Sequence, residues 1–275
     1  VFETMAMAFA REGENVSSFD LSFQTACKLS ELNLKKEAEE LAEKVVNSLD
    51  AESVESFEGS VILSPFSVLS VLASPLNFAV NGENVINGIS PWTDKMGEEV
   101  AIPELSVIDD AHIAGGVGSR SFDREGVSSD KLEIIKDGKL NKFLHNSYTA
   151  HKMDTKSTGH AGGGAQSKPG VSPSNFIIDG GDKTLEEIIK DTDKGILVNR
   201  FSGNADPVSG DFSGVVKGGK YIENGEIVKS LKGVMIAGNV YELLKNISAM
   251  TAEKKFIHNF RLPHIRFEDV SITGE

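Results

Sequence analysis

Side chains able to hold a metal or attack a carbonyl are few and scattered in this 275-residue sequence: six histidines, at positions 112, 145, 151, 160, 258 and 264, and one cysteine, Cys27. No two histidines stand four apart on a helical pattern, so the spacing that puts two imidazoles on one helix face for zinc is missing. Asp109-Asp110-Ala111-His112 and the pair His151 and His160, with Asp123 and Glu125 near in sequence, are the groups that a fold could gather around a metal ion. An unconventional metal site would draw on Asp109, Asp110, His112, Asp123, His151 or His160; the plainer alternative is a set of ordinary polar residues on strands and loops. Cys27 follows an alternating strand and reads as a structural thiol. One cysteine makes no internal disulfide and demands no oxidising compartment, so a cytoplasmic location is the default.

Gly214-Val-Val-Lys-Gly-Gly-Lys220 fills the first seven positions of a phosphate-binding loop, yet Tyr221 stands where the magnesium-binding Ser or Thr belongs. The pattern also leads into the hairpin dipeptide Asn224-Gly225, where a helix would have to begin. Neither the dinucleotide glycine fingerprint nor the Gly-x-Ser-x-Gly elbow occurs. Residues 155–173 are too rich in glycine to hold a regular element and read as a long mobile loop. Within it Gly159, His160, Gly162 and Gly163 would permit close backbone approach and are candidate peptide or partner contacts; a disordered surface loop is the alternative.

The elements that must position these groups follow from periodicity. Alternating runs at 6–10 and 18–23 flank a glycine-containing turn and form a hairpin. Asn33 caps a helix whose Ala38, Leu41, Ala42, Val45, Val46 and Leu49 share one face. A short strand at 60–63 leads into Ser64-Pro65, a cap followed by proline at the first helical position; that helix is expected to end at Ser74, before Pro75. Further strands are expected at 105–108, 132–135, 140–144, 176–178, 196–201, 221–222, 227–228 and 265–267. Helices are expected at 184–190, after the cap-like Asp182, and at 239–247. Asp137-Gly138 and Asn224-Gly225 are type I′ hairpin turns. The expected fold class is α+β, mostly antiparallel sheet with a few packed helices.

Composition excludes several functions. With 39 % apolar and 25 % charged residues the chain can bury a real core, and disorder is excluded as its main state. The net charge of −13 repels phosphate backbones, so direct nucleic-acid binding is not expected. Thirteen acidic against five basic side chains fall in residues 1–60, as expected of a solvated helix face. The longest apolar-rich run, 61–80, is broken by serines and two prolines, so no membrane span is expected. Val1 begins without an initiator methionine or signal peptide, directly in a strand pattern, and the chain reads as a piece of a longer one.

Five phrases together resemble a known family: Phe122-Asp-Arg-Glu-Gly-Val127, Ser157-Thr-Gly-His160, Gly210-Asp-Phe-Ser213, Tyr221-Ile-Glu-Asn-Gly-Glu-Ile227 and Ile236-Ala-Gly-Asn239. In order and spacing they are similar to the C-terminal part of the TldD/PmbA family, historically called modulators of DNA gyrase. The resemblance implies two regions. Residues 1–54, hairpin plus helix, would be the remnant of a preceding α+β region, and 55–275 a TldD/PmbA C-terminal-type domain. In the TldD branch, His-Glu-x-x-x-His lies on the helix after the strand matched here by 61–63, and a cysteine near the C-terminus completes the zinc ligands. Here residues 65–74 read Pro-Phe-Ser-Val-Leu-Ser-Val-Leu-Ala-Ser, and 250–275 contain no cysteine. The resemblance therefore implies the PmbA/TldE-like branch: a subunit with no zinc of its own and no catalytic residues, partnering a TldD-like zinc-bearing subunit in a cytoplasmic metalloprotease that acts on unfolded or small peptides. The alternatives are a metallopeptidase with an unconventional metal site and a homodimeric peptide-binding protein without catalysis.

Overall fold

A strand whose successive side chains enter two different apolar environments must lie inside a sheet covered on both faces, and Phe57–Leu63 is such a strand. Val61 and Leu63 join the main core, while Ile62 points the opposite way into a cluster with Ile188, Ile222 and Ala249. The computed structural model, which describes residues 1–274, places this strand inside a thirteen-stranded sheet. It pairs parallel to Lys194–Val198 on one side and antiparallel to Phe260–Thr273 on the other. Gly219–Glu223 and Glu226–Leu231 continue the sheet past Lys194–Val198; Phe176–Asp179, Ser106–Asp109 and Leu132–Lys136 continue it past Phe260–Thr273. Only one other pair in it, Phe176–Asp179 with Phe260–Thr273, is parallel among the described residues. The fold is α+β, dominated by sheet.

Phe260–Thr273 changes neighbours along its length. Up to Phe267 it pairs with Ile247–Ile257; beyond an irregularity between Phe267 and Val270, where Asp269 adopts φ +57°, it pairs with Met235–Asn239. Met235–Asn239 in turn carries Asp211–Lys217 and Arg200–Ala205. The expected strand 196–201 is thus two strands that part at Asn199. Strands Asp211–Lys217, Met235–Asn239 and Ile247–Ile257 add to those that periodicity indicates. The helix expected at 239–247 is only Val240–Leu243, capped by Asn239, and Ile247 already belongs to the next strand. The second-face helix is Leu185–Lys190; Thr184, with Glu187, forms its capping box in place of Asp182. Both hairpin dipeptides turn as expected, with φ of 50° and 75° at Asp137-Gly138 and 51° and 79° at Asn224-Gly225.

Pro75 does not stop the helix that Ser64 caps. The chain is helical from 65 to 79, but Leu69–Ala73 forms one wide turn in which the Ser74 N–H donates to the Leu69 carbonyl, five residues back. Proline lacks an N–H and its ring crowds the preceding turn, so widening that turn lets the helix continue. Continuation buries Leu72, Leu76, Ala79 and Val80 completely. The glycine-rich stretch 155–173 is also more regular than expected, since Ala161–Gly162 pairs with Gly170–Val171.

The opening hairpin pairs Phe2–Ala8 with Asp20–Ala26, and Leu34–Val46 packs on it with Asn33 accepting from the Lys36 N–H at 3.1 Å. Asn199 holds the hairpin to the main sheet by donating to Asp20 at 2.7 Å, and Arg200 donates to the Phe19 carbonyl at 3.0 Å. Because Leu72 sits with no exposed surface at the centre of the helix–sheet contact, Leu72→Ala is expected to cost about 2–5 kcal/mol, read from the shift of a urea unfolding curve.

Candidate functional site

A buried carboxylate persists only where donors surround it, and Asp109, at the end of Ser106–Asp109, has no exposed surface. The Ser174 N–H donates to its two oxygens at 2.9 and 3.1 Å, the Ser174 hydroxyl donates to Oδ1, and His160 Nε2 lies 2.9 Å from the same oxygen. His160 is itself buried, with Nδ1 2.8 Å from Thr158 Oγ1. These are the residue types of a hydrolytic triad in the wrong order. The carboxylate stands between serine and histidine, so the imidazole is not placed to take the serine proton.

The remaining sequence candidates lie apart from this knot. Asp123 is engaged by its own turn, accepting from the Glu125 and Val127 N–H groups at 2.9 and 3.0 Å and from the Ala161 N–H at 2.9 Å. Asp110 accepts from the His112 N–H, and the exposed His112 ring lies 2.6 Å from the Ser129 carbonyl. His151 is exposed on Ser147–Lys152. Gly159 is buried at φ +73°, where a Cβ would collide with the Ser128 carbonyl, and half-buried Gly162 abuts Ser172. Gly163 is exposed, and Arg124 ties that part of the loop down by donating to the Ser167 carbonyl at 2.5 Å. Cys27 is half-buried. Among the described residues no three His, Cys, Asp or Glu side chains converge as a metal site.

A cleft of about 520 Å³ opens instead on the second face of the sheet, where the helix 65–79 begins. Ser64, Pro65 and Phe66 form one wall, Lys44 of Leu34–Val46 overhangs it, and residues 182–186 and 251–255 close the other side. His264, from the long strand Phe260–Thr273, faces into it. Burial, then the ammonium groups of Lys44 and Lys255, push the His264 imidazole down to about 4, so it is neutral at pH 7. Its backbone N–H donates to Thr251 Oγ1 at 2.9 Å, but its ring makes no hydrogen bond to any described residue. The sequence carries a faint sign of this position, since His264 precedes the alternating run Ile265-Arg266-Phe267 on an expected strand. Nothing in one dimension joins it to Lys44, 220 positions earlier.

Comparison with known proteins places this architecture. Residues 56–274 match the family described as PmbA/TldA metallopeptidase C-terminal domain. The chain belongs to the PmbA/TldD family. It is 34 % identical over 223 residues to a metalloprotease of Methanocaldococcus jannaschii, covering 81 % of this chain and 49 % of that protein. It is 28 % identical over 235 residues to metalloprotease PmbA of Escherichia coli O157:H7, covering 85 % and 50 %. The structure of TldE from Thermococcus kodakarensis superposes with a TM-score of 0.88 at 27 % identity, over 99 % of this chain and 62 % of that one. The chain spans about half the length of the curated relatives it matches. Zinc, which the family's metallopeptidase name implies, does not fit the residues here. Helix 65–79 offers no imidazole, carboxylate or thiolate, and His160 and Asp109 are consumed by each other and by Ser174.

Asp109→Asn replaces an acceptor by a donor facing Ser174 and His160 and is expected to cost about 3 kcal/mol or more, measured by denaturant unfolding. His145, desolvated and facing His160, is also pushed down to about 4. His145 and His264 therefore bind protons near pH 6.5 when unfolded but only near pH 4 when folded. Stability is expected to be full above about pH 6.5 and to fall as the pH drops from there to about 4. Urea midpoints at pH 7.5, 5.5 and 4.5 check this, and His264→Gln is expected to flatten the dependence.

Proposed function

We propose that this chain is part of a PmbA/TldE-like subunit without a zinc centre of its own, which joins a zinc-bearing TldD-like subunit and helps shape the chamber where unfolded or small peptides are cut. The observation that carries this reading is the helix after Phe57–Leu63. It occupies the place where the zinc-bearing branch carries His-Glu-x-x-x-His, and its side chains are aliphatic, aromatic, hydroxyl or amide. Zinc hydrolysis needs convergent nitrogen, sulfur or oxygen ligands and a base for the bound water, and this helix supplies none of them. Its face toward the sheet is closed by Val68, Val71, Leu72 and Leu76, each without exposed surface, leaving no room for an ion on that side. The similarity to Thermococcus kodakarensis TldE agrees with the companion role.

The working location in this reading is the cytoplasm. Among the described residues no helix is long and apolar enough to cross a membrane, and the net charge of −13 disfavours direct contact with DNA. The expected outcome of reconstitution is that this protein, supplied with zinc, hydrolyses no peptide alone, co-purifies with a zinc-motif-bearing family member, and raises that partner's peptide cleavage. Stoichiometric zinc together with cleavage by this protein alone would overturn the proposal.

A further inference from the structure

We infer that the cleft under Lys44 binds the terminal carboxylate of a short peptide, with Lys44 Nζ and the His264 imidazole as its two ligands; the inference rests on the companion-subunit reading. The cleft's volume of about 520 Å³ lies within the range of small-ligand sites and suits a peptide end of two or three residues.

The hydrogen-bonding state of the lining selects these two groups. The Ser64 hydroxyl donates to the Asn199 carbonyl, that of Thr184 to Glu187, and that of Thr251 to the Glu253 carbonyl. Three of the four lining lysines are already neutralised: Lys183 by Asp191 at 2.6 Å, Lys254 by Asp179 at 2.7 Å, and Lys255 by Glu37 at 3.5 Å. Lys44 has no carboxylate within ion-pair distance among the described residues, and the His264 ring has no partner there either. A neutral imidazole carries one N–H donor, and an ammonium three, so together they complement a carboxylate without placing a second positive charge in the floor.

Charge is arranged to orient such a ligand. Lys44 and Lys255 are the charged groups that act on His264, and both are positive. Asp182, Glu186 and Glu253 are exposed at the mouth, where they attract an ammonium or a basic side chain. A zwitterionic peptide entering carboxylate first satisfies both ends. Pro65, Phe66, Leu185 and Ala252 supply apolar surface between them.

Titration calorimetry on this protein alone at pH 7 and low salt tests the assignment with Ala-Ala-Ala, its C-terminal amide, and an acetylated, amidated peptide containing one internal aspartate. The tripeptide acid is expected to bind at least tenfold more tightly than either amide. Lys44→Met should weaken it at least tenfold and Lys44→Arg much less, while the His264 ring, followed by NMR, should titrate at higher pH when the peptide is bound. Equal binding of acid and amide, equal or tighter binding of the aspartate peptide, unchanged affinity in Lys44→Met, or no binding at all would overturn it. Cleavage by the mixed subunits, measured separately, keeps the two ideas apart. Mixed activity without peptide binding here refutes the cleft alone, and binding without stimulation of a partner refutes the companion role alone.

Discussion

The structure hangs on the backbone hydrogen bonding of one strand. Phe260–Thr273 is long enough to lie beside four others, and because it runs inside the sheet its N–H and C=O groups find partners on both edges. One edge is shared by Phe176–Asp179, beside Phe260 and Arg261, and Phe57–Leu63, beside 265–272, while the other is handed from Ile247–Ile257 to Met235–Asn239 where Asp269 twists the chain. Before that exchange, alternation turns Ile265 and Phe267 into the main core and His264 to the opposite face, where Lys44 of the opening region's helix also reaches. The cleft is thus a by-product of how the sheet closes, with walls contributed by segments far apart in sequence.

Much of this is legible in one dimension where local chemistry governs. Asn33 and Ser64 cap helices because a side-chain oxygen next to free N–H groups satisfies them locally, and the two x-Gly dipeptides turn because they accept positive φ. What escapes is decided by the sheet. Asp211–Lys217 has Gly214 at its centre and lies between Gly210 and Gly218, which masks its strand pattern in sequence, and it is a strand because Arg200–Ala205 and Met235–Asn239 flank it. Residues 244–247 have a helical pattern, yet the demand for a partner to Phe260–Phe267 claims Ile247 for the sheet.

The chemistry-bearing residues show the same division. His160 and Asp109 are visible in the sequence as potential ligands, but their burial, their direct hydrogen bond and the donors of Ser174 make them an internal tie that fastens the glycine-rich stretch to the sheet. His264 looks like the plainest of the histidines, since an isolated imidazole gives no hint of which lysines fold over it. Family phrases carry more functional information than spacing does, because an empty helix has meaning only beside a filled one.

The wide turn at Leu69–Ala73 bears on that empty helix. On a helix of ordinary pitch, positions five residues apart diverge by about 140°. A loop closing on the fifth residue, as Ser74 does on Leu69, brings them almost one above the other. The detour that Pro75 demands is therefore absorbed within a single turn, and Val68, Leu72, Leu76 and Val80 on either side of it all remain sealed against the sheet.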